Sequence, residues 1–531
     1  MVFQLPFRSW ARFAALVVFV STTAIAEEPD STSYLHDSQK LFESGQYFKA
    51  ARYAFAAAEH APSDSKVVHT AYSWITLSLV KAGLPNAASY FFIKTLQSGE
   101  PSAIRRVLTE TESLLLSLGG ELIRPYLIRH TKYQDYDSIN KSAYLFSLGK
   151  DALLTRKSDA AVKYFSGMNE TTPLWPFALQ LRGSAHAILG KDALALADFR
   201  ACQARAGREA KTEARFREYD DLKNRCLAGE ARTLYQMDRF DDADRTYDRI
   251  PKASFVWPDI LFEQAWNSFG RQEYNRTLGK LVSYKSPALK FVFNSEVDVL
   301  RAQTFLSLCL YDDANQVINE YNAQYSHVGE VVKEFVENQS ADLGAFFELG
   351  KKALGESLYS SNETHQMING FVRSPYFQGL VKAEKDVRSE RQAVEQFSAM
   401  LKGVSFTSGK GFAGFLNQVL DWRGESLRVL GGGFVKNGMI ETHAALISNF
   451  EKMAFIKLEM LKHAKERLMN KRPSALERAR GNERPSRKNY QYYWSFNGEF
   501  WNDELGDYVF GLESECRDTP DGRGKKVSAR E

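Results

Sequence analysis

The sequence predicts an all-α chain: a solenoid of stacked helical hairpins that passes into further helices and ends in a small aromatic hairpin. Three observations carry that expectation. Small residues return every thirty-odd positions through the first three hundred, and helical patterning continues beyond them to about residue 470. Nine aromatics then crowd residues 489–516 around an Asn-Gly pair.

The unit is clearest in Leu174–Cys202, LWPFALQLRGSAHAILGKDALALADFRAC. Gly190 marks a turn between two short helical patterns, with small residues at Gly183 and Ala195 and a ring at Phe199. Antiparallel helices approach closely only where their facing side chains are small, so Gly183 and Ala195 read as a crossing point. Phe199 and Leu189 then fill the space beside it.

With the small residue of each second helix as a marker, the series is Ala50, Ala88, Pro125, Ala161, Ala195, Ala243, Thr277 and Ala314. Twelve positions earlier stand Ser38, Thr76, Ser113, Gly149, Gly183, Ala231, Ala265 and Ala302, all small. Aromatics recur three before the marker (Tyr47, Phe240, Tyr274, Tyr311) and four after it (Phe92, Phe165, Phe199, Tyr247). Pro62 and Pro173, twelve after, stop a helix. The pattern resembles the tetratricopeptide (TPR) family over residues 32–325, in about eight units. The first-helix aromatic of that family is mostly absent here, and Pro125 makes the third unit the poorest match. The resemblance implies a right-handed superhelix whose first helices line a groove for peptides or partner surfaces. Phe146, Gln180, Arg232, Tyr235, Trp266, Phe269 and Gln303 are the positions it assigns to that groove. The alternative is that the apolar ones pack between units.

The step from Ala195 to Ala243 is 48 residues, longer than the others, and contains the charged stretch QARAGREAKTEARFREYDDLKNRC. Cys202 closes one second helix and Cys226 opens the next first helix, so in an oxidising compartment the two could form a disulfide across the insertion; two buried thiols are the other possibility. Cys309 falls in the turn of the eighth unit, where a glycine is usual. Cys516 lies just beyond the last aromatics, and a Cys309–Cys516 bridge would fold the tail back along the C-terminal half.

Residues 1–26 read as a signal peptide: Arg8 and Arg12, an apolar run from Phe13 to Val20, and Ala24-Ile25-Ala26 before the expected cleavage. No second long apolar run follows, so the mature chain is expected to be exported, periplasmic and not membrane-spanning. Residues 326–470 read as a helical continuation, atypical repeats capping the solenoid. Gly431-Gly432-Gly433 there stand before a long helix from about Ile440 to Met469. From Lys462 to Lys488 basic residues outnumber acidic ones ten to three, which makes 471–489 a basic linker or a contact for anionic lipid or peptidoglycan. Asn497-Gly498 between WSF and EFW is a two-residue hairpin signal. The tail 490–516 then offers Trp494, Phe500 and Trp501 either to the solenoid or to a partner, and 517–531 is expected to be disordered. Its wording, FNGEFWNDELGDYVF, is similar to tails of exported TPR proteins of bacterial envelope and gliding-motility machines.

No catalytic chemistry stands out. Net charge is +4 with 25% charged residues, which does not argue for a nucleic-acid partner. No Cys/His cluster suits a metal, and no cofactor motif is found. Gly409-Lys410-Gly411 lacks the spacing and the following Ser or Thr of a phosphate loop. Glu356 in GES and Glu425 in RGES superficially resemble the Glu-Ser of lysozyme-like transglycosylases, but the glycine-rich Met-Gln segment that follows in that family is missing. The expected function is therefore a non-enzymatic scaffold that binds protein partners in a cell-envelope assembly. The alternative is a peptidoglycan enzyme of the lytic transglycosylase type.

Overall fold

The computed structural model describes residues 30–63, 65–210, 216–286, 289, 292–338, 342–355, 363–399, 411–469 and 509–516. The leader, Glu356, Gly409-Lys410, the basic stretch and the Asn497-Gly498 turn with Trp494, Phe500 and Trp501 lie outside them. The described residues form an all-α, TPR-like solenoid with a second helical layer, and no strand occurs among them.

The first two units are α1 (Ser31–Glu43) with α2 (Tyr47–Glu59), and α3 (Lys66–Lys81) with α4 (Pro85–Ser98). Three short helices follow, α5 (Pro101–Leu108), α6 (Thr111–Leu118) and α7 (Gly120–His130). Paired units then resume: α8 (Lys141–Leu154) with α9 (Ser158–Ser166), and α10 (Trp175–Ile188) with α11 (Asp192–Glu209). Next come α12 (Phe216–Gln236) with α13 (Phe240–Tyr247), and α14 (Trp257–Gly270) with α15 (Tyr274–Tyr284). The last unit is α16 (Glu296–Ser307) with α17 (Tyr311–Asn338).

Seven turns are built alike. Gly45, Gly83, Arg156, Gly190, Asp238, Gln272 and Cys309 all have left-handed φ, from 56° to 78°, and each stands five residues before its marker. The next residue's N–H reaches back across the turn in all seven, from Gln46 to Leu41 O and so on to Leu310 to Phe305 O, at 2.8–2.9 Å. This is the Schellman closure, which ends a helix by satisfying its last carbonyls and needs one left-handed residue. Glycine occupies three of the seven sites; the other four residues adopt the conformation at some cost.

The crossings follow from the small residues. Ala50, Ala88, Ala161, Ala195, Ala243, Thr277 and Ala314 are all fully buried. Ser38 Oγ donates to Ala50 O across the first crossing at 2.8 Å. A Cβ on Gly149 would stand 2.5 Å from the Phe165 ring, and one on Gly183 would stand 3.0 Å from Phe199. Phe199 also lies where a Cβ on Gly229 would be, at 2.5 Å, so one ring fills the gap between two units.

The third unit departs from the sequence expectation. Ser113 and Pro125 are both exposed, and Ile104, Val107, Leu114, Leu115, Ile123 and Leu127 make the contact instead. Proline inside α7 removes a backbone donor and sits on the outer face, where that loss is solvated. The insertion after Cys202 also differs: it lengthens α11 and α12 themselves. Cys202 lies seven residues inside the end of α11 and Cys226 lies within α12, joined by a disulfide at a Cα separation of 6.2 Å.

The C-terminal half is not a row of further repeats. The boundary placed at residue 325 falls inside α17, which runs on to Asn338. After it come α18 (Leu343–Gly355), α19 (Glu363–Val372), α20 (Pro375–Ala399) and α21 (Gly411–Met469). The last is one helix of 59 residues, about 90 Å long, and passes straight through Gly431-Gly432-Gly433. The glycines admit close neighbours. A Cβ on Gly431 would overlap the Phe347 ring, one on Gly432 the Leu343 carbonyl, and one on Gly438 the Phe371 ring.

Helix α21 joins the two ends of the solenoid. At one end Phe412 and Phe415 meet Phe55 at ring distances of 5.1 and 5.0 Å, and Trp422 meets Tyr90 at 5.7 Å. At the other, Phe450 meets Tyr321 at 4.9 Å, Asn449 donates to Ser295 Oγ at 2.9 Å, and His463 stacks on Tyr311 at 5.7 Å. One hydrophobic core therefore runs from α1–α4 through α18–α21 to α16–α17.

Candidate partner-binding surfaces

The groove positions named from the sequence lie on α8, α10, α12, α14 and α16. Each is half-buried except Arg232, which is exposed. Phe146 meets Phe165 of its own unit at 6.1 Å. Tyr235 packs edge-on against Phe240 at 5.5 Å and Phe269 against Tyr274 at 5.5 Å, as Phe42 packs on Tyr47 at 5.3 Å in the first unit. That recurring pair closes the turn end of a unit. Trp266 meets Phe269 at 5.7 Å. Arg232 forks onto both oxygens of Glu263 at 2.6–3.0 Å, tying α12 to α14, and the Tyr247 hydroxyl donates to Glu263 at 3.1 Å. Burial, and after it the Glu263 charge, pushes the Tyr247 hydroxyl far above its ordinary value. Gln180 and Gln303 lie on α10 and α16, and their backbone carbonyls accept from Ser184 and Ser307 at 3.1 and 2.9 Å.

The apolar side chains left uncovered in the middle of the solenoid are others. Leu154 and Ile188, at matching ends of α8 and α10, are 61% and 69% exposed, and Leu194 beside the Gly190 turn is 51% exposed. The sequence reading missed them because they lie off the small-residue positions, and an apolar residue beside a turn reads as core until its exposure is known.

A second surface runs along the turns of the last two units, where residues 509–516 lie as an extended strap. Asn275, second in α15, receives the Phe510 N–H on its backbone carbonyl at 3.1 Å. Its side-chain amide pairs with both backbone groups of Leu512: Leu512 N–H donates to Oδ1 at 3.0 Å, and Nδ2 donates to Leu512 O at 2.9 Å. The Leu308 carbonyl receives the Glu515 N–H at 2.9 Å and the Ser514 hydroxyl at 3.4 Å. Cys309 and Cys516 are bonded, with Cα atoms 5.0 Å apart. The strap thus follows α15–α17, not the C-terminal helices. The hydrogen bonds from Asn275 and Leu308 go to its backbone and to Ser514. Nothing in the sequence around Asn275 placed it beside residue 512.

The joint between the two halves is polar and buried. Glu390 of α20 accepts from the Asn86 and Ala87 N–H groups at 2.8 and 2.9 Å and from Asn86 Nδ2 at 2.8 Å, at the first turn of α4. Arg423 donates from Nε to Asn86 Oδ1 at 3.1 Å. Burial raises the Glu390 carboxyl above its ordinary range despite those donors, and burial pulls Arg423 down to about 10. A carboxylate at a helix N-terminus satisfies orphan N–H groups, so the cluster is accounted for as a cap.

Glu425 is exposed on α21 beside Arg428 at 3.7 Å. Among the described residues no group of His, Cys, Asp or Glu is arranged to hold a metal ion, and no helix is long and apolar enough to cross a membrane.

No protein-family model matches the chain, and no curated protein does. Among solved structures the chain is similar to the P58(IPK) TPR domain, at 15% identity and a TM-score of 0.20, covering 56% of this chain and 94% of that one. It is similar to yeast Tom70 at 12% identity and a TM-score of 0.20, covering 85% and 97%. A circular tandem repeat protein with novel repeat topology follows at 13% identity and a TM-score of 0.14, covering 81% and 90%. Overlaid coordinates differ globally at such scores, so the TPR-like description of this chain rests on its own seven turns and buried crossings.

Proposed function

We propose that the chain is an exported scaffold that holds protein partners in a bacterial cell-envelope assembly and performs no catalysis. The observation that carries the scaffold reading is a repeat solenoid braced end to end by α21, with Leu154, Ile188 and Leu194 uncovered on its middle units. Exposed apolar side chains on a rigid frame suit a partner surface, because the frame loses little freedom when they are covered. Export is supported by the leader pattern of residues 1–26 together with the pairing of all four cysteines, since disulfides persist in oxidising compartments. A place in an envelope or gliding-motility machine rests on the wording of the aromatic tail alone.

The test is a pull-down from bacterial envelope extract with the oxidised chain, beside a Leu154→Asp/Ile188→Asp variant. Partners retained by the wild type and lost by the variant support the reading. Equal capture by both would remove the middle units from it, and turnover of purified peptidoglycan would replace it with the enzyme. Cellular protein found fully reduced would defeat export.

A further inference from the structure

We infer that the turn edge of the last two units is a binding site for an extended peptide, with residues 509–516 as its resident occupant and the Cys309–Cys516 disulfide as the latch that keeps them there. This goes beyond the scaffold reading and does not depend on which partner that scaffold holds.

The site is built from groups that recognise backbone rather than sequence. Asn275 presents a carboxamide whose C=O and N–H meet the N–H and C=O of one residue, Leu512, as a neighbouring strand would. Two backbone carbonyls, of Asn275 and Leu308, receive N–H groups on either side. The side chains of Val509 and Leu512 are 55% and 39% exposed, while those of Phe510 and Glu515 are half-buried. The part of the hold made through the main chain is open to another extended segment with free N–H groups at the same spacing. Residues 470–508 separate the end of α21 from the strap, and His463 near that end already lies against Tyr311, two residues from Cys309.

The two disulfides differ in access. Cys202 and Cys226 are fully buried, whereas Cys516 is exposed and Cys309 is half-buried in a turn. A dithiol reductant of the thioredoxin class would attack Cys516 Sγ as thiolate, break the S–S bond and release Cys309 as a thiolate that takes up a proton. Its second thiol then resolves the mixed disulfide and frees the Cys516 thiol. Two electrons pass from the dithiol to the protein, and the reductant leaves as a disulfide. The strap then competes with other segments through hydrogen bonds alone, each individually modest in water.

The test uses the full chain carrying Cys516→Ser and the synthetic peptide VFGLESEC, its cysteine activated as a mixed disulfide. Capture on Cys309 is followed by intact mass. The expected result is capture about tenfold faster than for a peptide N-methylated at the leucine, which lacks the N–H that Asn275 receives. Asn275→Ala in the same chain should abolish that discrimination. The oxidised wild type should capture neither peptide, and should gain capture once Cys309–Cys516 has been reduced by a dithiol that is removed before the peptide is added. Equal rates for the two peptides on the Cys516→Ser chain would overturn the proposal, since Cys309 would then be merely accessible. Capture by the oxidised wild type would overturn it too. The peptide comparison is made on a chain with Asn275 intact, so it decides the matter even if Asn275→Ala does not fold.

Discussion

The turn glycines of the repeat half and the glycines of α21 have opposite roles, and the contrast explains how differently the two regions can be read. Gly45, Gly83 and Gly190 have φ of 77°, 78° and 67°, with nothing within 4 Å of the Cβ they lack. They are needed for conformation. Gly431, Gly432 and Gly438 lie in ordinary helical backbone, and the space their Cβ would take is filled by α18 or α19. They are needed for proximity. Each interior glycine costs about 1 kcal/mol of helix propensity relative to alanine, so they persist only because the closer packing stabilises more than that. A turn glycine leaves a signature in its neighbours, a helix end on one side and a helix start on the other. A crossing glycine outside a repeat, such as Gly432, leaves none until its partner is known, whereas Gly149 and Gly183 are marked by the recurrence of the unit.

The largest expected effect tests that distinction directly. Gly432→Ala would drive a methyl into the Leu343 carbonyl, which belongs to backbone and cannot turn aside as a ring can. Overpacking of this kind costs about 3 kcal/mol. Gly433→Ala, one residue on, meets open space and should be neutral or stabilise by up to about 1 kcal/mol. Thermal melts of the pair decide the matter. Equal effects would mean that α18 does not seat on α21 as described.

This is also where the sequence stopped being informative. The hairpin units repeat, so each crossing is checked by the others, and Ala195 could be placed without knowing anything distant from it. The third unit failed because Pro125 kept the period while its side chain faced outward. The path of α21 had no such check. Phe412 against Phe55 and Phe450 against Tyr321 join residues hundreds and scores of positions apart, and no period links them. The strap was legible only in part, because Cys309 stood out in a glycine position while Asn275 looked like an ordinary surface residue.

A repeat-half change of middling size is Ala195→Leu. Its side chain would enter the crossing beside Gly183 and Phe199, at a cost of about 1–3 kcal/mol. Neighbouring units share the Phe199 ring, so the denaturant transition should broaden as well as shift. A parallel shift with no broadening would make the crossing private to one unit.

The joint between the halves can be probed by pH. Glu390→Gln keeps the shape but turns an amide N–H₂ toward N–H donors, and should cost about 2 kcal/mol. The folded carboxyl titrates above its ordinary 4.5, chiefly through burial. Its contribution to stability is therefore complete below that value and declines as pH rises through the raised one. The wild type's advantage over the variant should be greatest in mild acid and shrink toward neutrality. An advantage that grew with pH would mean that the Asn86 and Ala87 donors outweigh burial.

The smallest effect concerns a turn that lacks the residue its geometry favours. Arg156 has φ of 59° and the same closure as Gly190, from Lys157 N–H to Ala152 O at 2.8 Å. A left-handed side chain costs about 1–2 kcal/mol, and glycine returns part of that gain as extra freedom in the unfolded chain. Arg156→Gly should therefore stabilise by about 0.5–1 kcal/mol, although it removes a side chain. The opposite exchange, Gly190→Arg, should destabilise by a similar amount, since the Cβ there meets open space and only the backbone is strained. If both substitutions were destabilising, the Arg156 side chain would be supplying contacts that outweigh the strain. The turns would then be individual solutions rather than one device repeated seven times.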